Sequence, residues 1–380
     1  MRVLLVSANG ADLYYGGAER YVHDLRVGLE RHGHETAVLS AFPVKADDSP
    51  VLRVLHRTDW HDSRERRYRN HIRDWVAPAP RSLGTILREL APDLVHTNNL
   101  PGISTGIWER ARTLGIPVVH TLHDYHLLCP RVSLTRSDGA PCDPHPLLCG
   151  LRSRRMARWA PGVDAVIGVS HHVLSRHEHF FGPDIGRHVI RPPLVPLPGT
   201  ASGRSGASLG VLGYIGNLSA DKGVRVLLAA APRLSELGVQ VRVAGGGPLL
   251  QEVSNSAAVQ FAGRLQGADL VAFLRTCDAG LVSSLWEEPA VTFAALEWLA
   301  AGRPVLATRR GGLAELDDLG GVVHYDGSAA GLVAGVEQLR QGEGWRQLSA
   351  TVPVVQDDSD RERWLQSHLS AYGQVRRSAV

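Results

Sequence analysis

Only two of the 41 basic residues are lysines, Lys45 and Lys222, so the place of Lys222 carries information. It follows 214-YIGNLSAD-221, opens an apolar-faced helix directly after an apolar strand, and is followed by Gly223. A helix N-terminus is already partly positive, so an ammonium there works against the helix but suits a diphosphate. Asn217 lies in the same loop, from Gly216 to Gly223. Two more glycine loops, Gly245-Gly246-Gly247 and Gly311-Gly312, occupy similar strand-to-helix positions, where backbone N–H groups can face an anion. Arg264, after the strand-like Val259–Ala262 and Gly263, supplies a candidate second cation for the same phosphates. A solvated surface side chain is the plain alternative for each cation.

The segment 286-WEEPAVTFAALEWLAAGRPV-305 holds the candidate carboxylates. Glu287 and Glu288 precede a helix, and Glu297 lies within it between Leu296, Trp298 and Leu299. A carboxylate in a helix apolar nearly all round needs hydrogen-bond donors, and the two vicinal hydroxyls of a ribose would supply them. In the first half, Gly16 and Gly17 open a helix after the strand Val3–Val6, which suits close backbone approach to something anionic or bulky. The intervening residues Ala11 to Tyr15 break the G-x-G-x-x-G spacing, so a nicotinamide enzyme is not the first expectation.

These residues must be held by alternating strands and helices. Val3–Val6, Thr36–Leu39, Leu94–His96, Pro117–Leu122 and Ala165–Val169 read as strands, and Ala18–Arg31 as a helix burying Val22, Leu25 and Leu29. Apolar strands joined through helices indicate a parallel sheet covered on both faces. The stretch 192-PPLVPLPGTASGRSGAS-208 has linker composition. Beyond it the plan repeats, with strands Leu209–Ile215, Val239–Ala244, Gly280–Ser283 and Pro304–Ala307 and helices Lys222–Leu237 and Thr292–Ala301. The expected architecture is two doubly wound Rossmann-like α/β domains facing an interdomain cleft. Residues 1–190 form the first domain, 191–208 the linker and 209–360 the second, with 361–380 a terminal helix crossing back to the first.

Composition narrows the classes. Hydrophobic residues at 44% and charged residues at 21% suit a soluble globular chain. No signal-peptide pattern and no apolar run of bilayer-spanning length is evident, so a cytoplasmic protein is expected. A net charge of +3 does not point to a nucleic-acid partner. Cys129, Cys142, Cys149 and Cys277 are too few for a disulfide framework. The first three share a loop-rich segment with His126 and His145, where free thiols, a local disulfide or a zinc knot are all open. Asp358-Ser359-Asp360 has the D-x-D form that can hold a divalent cation, but it stands just before the terminal helix, where Asp and Ser cap well. The cap is favoured and no metal is expected. Basic stretches 64-RERRYR-69 and 152-RSRRMARW-159 are solvated faces by default. Otherwise they could draw a phosphorylated acceptor or give peripheral contact with an anionic membrane.

Taken in order, Gly-Gly-Ala-Glu-Arg at 16–20, 93-DLVHTNN-99, 119-VHTLHDYHLLCPR-131, 214-YIGNLSADKG-223, 245-GGGP-248 and the carboxylate segment resemble the glycosyltransferase family 4 pattern over nearly the full length. The resemblance implies the GT-B fold, with an N-terminal acceptor domain and a C-terminal domain binding a nucleotide-diphosphate sugar. It implies that Lys222 binds the diphosphate, Glu297 the ribose and Glu288 the hydroxyls of the transferred sugar. His123 would line the acceptor side of the reaction centre, and Gly16-Gly17 the loop over donor phosphate and acceptor. Two departures stand out. Asn217 occupies a position where the family commonly has arginine. Eight residues rather than the usual seven separate Glu288 from Glu297. The extra residue is assigned to the loop Pro289–Thr292, because one inside the helix would turn Glu297 by about 100°. Both Glu287 and Glu288 stay candidates for the sugar.

The implied reaction is a metal-independent retaining transfer of a hexosyl-type group, from a UDP or GDP sugar, to a small-molecule or glycan acceptor. The nucleotide sugar is a co-substrate, and no cofactor is expected. Attack is from the front side, the departing phosphate oxygen takes the acceptor proton, and His123 and Asp124 orient or polarise. A sugar-nucleotide epimerase on the same scaffold and a non-catalytic sugar-nucleotide sensor are the alternatives.

Overall fold

The computed structural model describes residues 1–8, 16–41, 52–54, 81–136, 142, 146–198 and 208–378. The basic stretch 64–69, Lys45, His145 and half of the linker, 199–207, lie outside the described residues. The chain divides into two compact units, one built from Met1–Arg136, Pro141–Pro192 and Arg363–Val380, the other from Pro193–Glu362.

In the first unit seven strands form one sheet: β1 (Arg2–Ser7), β2 (Glu35–Ser40), β3 (Leu52–Val54), β4 (Leu94–Thr97), β5 (Val118–Leu122), β6 (Ala165–Gly168) and β7 (Gly186–Val189). Every pairing is parallel, and the order is β3-β2-β1-β4-β5-β6-β7. The order reverses direction between β1 and β4, which opens a crevice beyond their carboxyl ends. Every residue of β4, β5 and β6 is buried, as the strands of a sheet covered on both faces must be. Helix Gly17–Arg31 buries Tyr21, Val22, Leu25 and Leu29 against this sheet. The terminal helix Ser359–Ser378 packs on the same unit from Arg363 onward. Its Leu365 lies beneath Gly28, where an added Cβ would come within 3.2 Å. His368 Nε2 meets the Tyr21 hydroxyl at 2.7 Å and the Tyr372 hydroxyl meets His96 Nδ1 at 2.6 Å.

The second unit has six strands: β8 (Val211–Asn217), β9 (Gln240–Gly246), β10 (Gln260–Phe261), β11 (Ala279–Val282), β12 (Val305–Thr308) and β13 (Val322–Tyr325). They too are all parallel, in the order β10-β9-β8-β11-β12-β13, so the reversal falls between β8 and β11. Each face of the sheet has its own apolar layer. One gathers Leu227, Leu234, Leu332 and Val336 from helices Val224–Glu236 and Ala329–Arg340; the other centres on Trp298, Phe273 and Leu274. Gly280 and Gly213 let the Trp298 indole lie against the strands, since a Cβ at either would come within 2.1 or 2.3 Å of its ring.

Two readings need correction, and two strands are added. Leu147–Ala157, expected as loop, is a helix whose Arg152 and Met156 are buried anchors. The strands β7 and β13, which the sequence reading leaves out, are short and only partly buried. Lys222 does not open the following helix, which begins at Val224, because Gly223 adopts a left-handed φ of 71° and holds Lys222 in the preceding turn.

Candidate functional site

Strands β8 and β11 flank the reversal of the second sheet, and the loops at their carboxyl ends are tied together. Ser283 Oγ donates to the Lys222 carbonyl at 2.8 Å, and the Leu285 N–H donates to the Asp221 carbonyl at 2.7 Å. Contact is so close at Gly223 that an added Cβ would lie 1.9 Å from the Ser283 carbonyl oxygen. Glycine is therefore required there both for space and for φ. The clamp brings Lys222 Nζ to 2.5 Å from Glu288 Oε1. Trp286 Nε1 donates to the same oxygen at 2.9 Å, and Ser284 Oγ donates to it as well. Lys222 Nζ also sits 4.9 Å from the centroid of the Trp286 ring. The Glu288 side chain is only 4% exposed, against 26% for Lys222. Three converging donors, one of them charged, are what a buried carboxylate needs.

The backbone of Glu288 is fixed as firmly. It bridges to Gly311, and the Gly312 N–H donates to its carbonyl at 2.7 Å. Of the two adjacent acids, Glu288 is thus the buried and multiply bonded one, while Glu287 is half-buried. Thr292 caps helix Phe293–Ala300 by accepting from the Ala295 N–H, so the loop Pro289–Val291 joins Glu288 to that helix. Glu297 is half-buried in the helix's second turn.

The glycine loop after β9 closes on the end of β8. Leu218 N–H donates to the Gly246 carbonyl at 2.9 Å, and a Cβ at Gly245 would lie 1.9 Å from the Gly216 carbonyl oxygen. Asn217 is exposed as the last residue of β8, with its side chain 3.4 Å from Ser219 Oγ. Arg264 is exposed, and its aliphatic stem would be 3.9 Å from a Cβ at Gly246. Asn217, Lys222, Gly246, Arg264 and Glu288 all belong to loops and strand ends of β8, β9, β10 and β11. Glu297 is carried by the helix that follows, Phe293–Ala300.

The first unit has a second constellation beyond its own strand reversal. His123 follows β5, and its Nε2 donates to Asn98 Oδ1, just beyond β4, at 2.8 Å. Tyr21 presents its ring edge-on to His123 with centroids 4.7 Å apart. Burial, and then the neighbouring His368, hold His123 down at about 3, so its ring is neutral at neutral pH. Asp124 accepts the His126 N–H at 2.7 Å. Burial lifts its carboxyl to about 6 against that bond, with Glu19 pushing further up and Arg152 pulling down. Arg152 itself donates to the His126 carbonyl at 2.7 Å. A cavity of about 10 Å³ beside His123 and Asp124 is bounded by Asn98, Leu100 and Leu127. Gly16 caps helix Gly17–Arg31, and a Cβ on it would press within 3.0 Å of Glu19 Oε2.

Sequence reasoning does not assign Asn98, Glu19, Tyr21, Ser284 or Trp286. Asn98 and Glu19 stand inside stretches singled out for other reasons, and Ser284 and Trp286 adjoin the glutamates. The cysteines 129, 142, 149 and 277 are free thiols, and no group of three or more metal-ligating side chains is arranged around a point among the described residues. Asp357 Oδ1 accepts the Ser359 N–H at 3.0 Å and the Asp358 carbonyl accepts from Glu362, so the D-x-D stretch forms the start of the terminal helix.

Known proteins share this fold. Residues 15–196 match the family described as Glycosyltransferase Family 4, and residues 210–341 the family described as Glycosyl transferases group 1. Glycogen synthase of Mycobacterium tuberculosis is 27% identical over an alignment spanning 89% of this chain and 86% of that protein. Sucrose-phosphate synthase of Thermosynechococcus elongatus superposes with a TM-score of 0.69 at 19% identity, over 99% of this chain and 98% of that one. HepE of Anabaena, solved in complex with UDP-glucose, superposes at 0.64 with 17% identity, over 100% and 99%. Two parallel doubly wound sheets, glycine-lined loops at the second strand reversal and matches spanning both units lead to one assignment: the chain belongs to the family 4 (group 1) glycosyltransferases and has their GT-B fold.

Proposed function

We propose that the protein transfers a hexosyl group from a UDP or GDP sugar to a small-molecule or glycan acceptor, retaining anomeric configuration and needing no metal ion. The observation that carries this reading is the Lys222–Glu288 pair, held among glycine-lined loops at the strand reversal of the second sheet. In this reading the Lys222 ammonium, the loop N–H groups around Gly246 and Gly311, and the exposed Arg264 receive the diphosphate. Preorganised positive charge there stabilises the leaving group as charge develops on it, and this lowers the barrier most. All three donors to Glu288 converge on Oε1, so Oε2 is the acceptor for a sugar hydroxyl. Glu297 takes the ribose hydroxyls. HepE binds UDP-glucose, which supports a uridine donor here.

The acceptor hydroxyl forms its bond to the anomeric carbon on the face from which the phosphate oxygen departs. The breaking bond leaves its electron pair on that oxygen, which takes the acceptor proton. His123, neutral at working pH, orients the acceptor through Nδ1, since its Nε2 is held by Asn98, and Asp124 sets the electrostatic environment beside it. The test is incubation with UDP-, GDP- and dTDP-sugars, with and without acceptors, in the presence of a chelator. Acceptor-dependent release of nucleotide with an axial-to-axial product supports the reading. An isomerised donor without acceptor, an inverted product, or activity abolished by chelation overturns the corresponding part.

A further inference from the structure

Helix Leu147–Ala157 carries a surface to which the proposed transfer reaction assigns no residue. Three of the six exposed large hydrophobic residues among the described residues lie on it: Leu147 at 77%, Leu148 at 72% and Leu151 at 47% exposure. One turn further along come the exposed Arg154, Arg155 and Arg158. At 100° per residue all six side chains fall within roughly 120° of arc, while Arg152 and Met156 anchor the opposite side. One face is thus apolar over its first two turns and cationic over its last. No acidic residue occurs between Asp143 and Asp164 to neutralise it. Among the described residues Arg154 and Arg155 have no acidic partner, and Arg158 only stacks on Trp159, 4.5 Å from the ring centroid.

We propose that this helix face docks the protein on an anionic lipid bilayer, the three leucines entering the acyl boundary and the three arginines engaging lipid phosphates. Leucines left in water at such exposure gain from burial, and the guanidinium fork matches phosphate oxygens. The shape favours a bilayer over a protein partner. Three side chains standing off a convex helix offer no concavity for a partner to fill, whereas a fluid bilayer closes around protrusions. Buried apolar area and attraction of basic side chains to anionic lipid are the two terms that set interfacial binding, and this face supplies both, leucines first and arginines after. The docking helix is also fixed to the first unit's site, because its Arg152 grips the carbonyl of His126, two residues after Asp124.

The proposal concerns binding alone and does not rest on the transfer reaction. The test is co-sedimentation of the full chain with phosphatidylcholine vesicles, with and without about 30–40% phosphatidylglycerol, a fraction that sets a strongly negative surface potential. Native protein should sediment with the anionic vesicles only, and release as salt rises. Each arginine near the surface strengthens partitioning about fivefold, so Arg154→Gln/Arg155→Gln should weaken it by more than about tenfold. Leu147→Ser/Leu148→Ser/Leu151→Ser should abolish it at unchanged melting temperature, since none of the three supports the core. A single Leu148→Trp variant, whose added fluorescence is quenched by brominated lipid, reports insertion without altering the rest of the face. Native protein that ignores anionic vesicles, variants that bind like it, indole fluorescence of the Leu148→Trp variant that brominated lipid leaves unquenched, or binding to acidic polypeptide but not to vesicles would each overturn the proposal.

Discussion

The ammonium of Lys222 and the carboxylate of Glu288, 66 residues apart in sequence, meet at 2.5 Å at the strand reversal of the second sheet. Glu288 is nearly fully buried, and its charge is compensated mainly by that ammonium. Removing one partner of a buried pair is costly because the other charge is left behind. Lys222→Ala should therefore destabilise the protein by about 2–3 kcal/mol, a value below the fully buried range because Lys222 is partly exposed. Adding Glu288→Gln should restore much of that loss while leaving donor affinity low. Urea denaturation and nucleotide-sugar titration of both variants check this. A double variant no more stable than Lys222→Ala would show that the pair does not carry the coupling.

Gly223 sets the position of that pair. An alanine there faces a left-handed φ and a 1.9 Å approach to the Ser283 carbonyl. Gly238 shares the positive φ, at 75°, but its nearest neighbour is the tip of Arg340 at 3.9 Å. Gly238→Ala should cost about 1 kcal/mol, the strain of the backbone alone. Gly223→Ala should cost several-fold more and abolish donor binding, as the β8 and β11 loops are forced apart. Equal losses of stability in the two variants would mean that the close approach is relieved without moving Lys222.

Much of this frame can be read from sequence. The strands with continuous apolar runs, β1, β4, β5, β8 and β11, are legible to within a residue or two because burial on both faces leaves an unmistakable pattern. The edge strands β7 and β13 are not, because half-buried residues write no such pattern. Lys222 is legible through its rarity among arginines, and Glu288 through its neighbouring acid and helix. Their mutual contact is not, since neither residue type nor spacing reveals which side chains a sheet reversal brings together. Asn98 illustrates the same limit: its role beside His123 depends on β4 and β5 lying next to each other, a relation of topology rather than of local sequence.

The histidines of the first unit make its stability depend on pH. Burial holds His96 well below its ordinary value, His120 and His123 at about 3, and His177 and His368 at about 4. Below about pH 6.5 the unfolded chain binds protons on these rings that the folded chain does not, so stability falls as pH falls. The loss begins near 6.5 and continues to the folded values near 3 to 4. Asp124 has the opposite sign. Its carboxyl is raised to about 6, so its folded form favours the proton, and it contributes stability at low pH that is lost as pH rises through 6. Asp124→Asn should accordingly raise the melting temperature at pH 7 and change it little at pH 4. A first-unit transition equally stable at pH 5 and pH 7 would contradict the histidine assignments.

The terminal helix is held by the same polar interior. His368 Nδ1 donates to the Trp364 carbonyl at 2.8 Å, which leaves Nε2 as the acceptor for the Tyr21 hydroxyl. Tyr21→Phe keeps the ring that edges against His123 and removes only that donor, so His368 retains a buried nitrogen without a partner. Such a group costs about 1–3 kcal/mol. The variant should therefore lose stability in that range and expose the segment after Arg363 to proteolysis sooner than native protein. His368→Leu combined with Tyr21→Phe replaces both polar groups by apolar ones and should recover part of the loss, because neither partner is then left unsatisfied. If Tyr21→Phe alone left both the melting temperature and the cleavage rate unchanged, the bond would contribute nothing to docking the helix on the sheet.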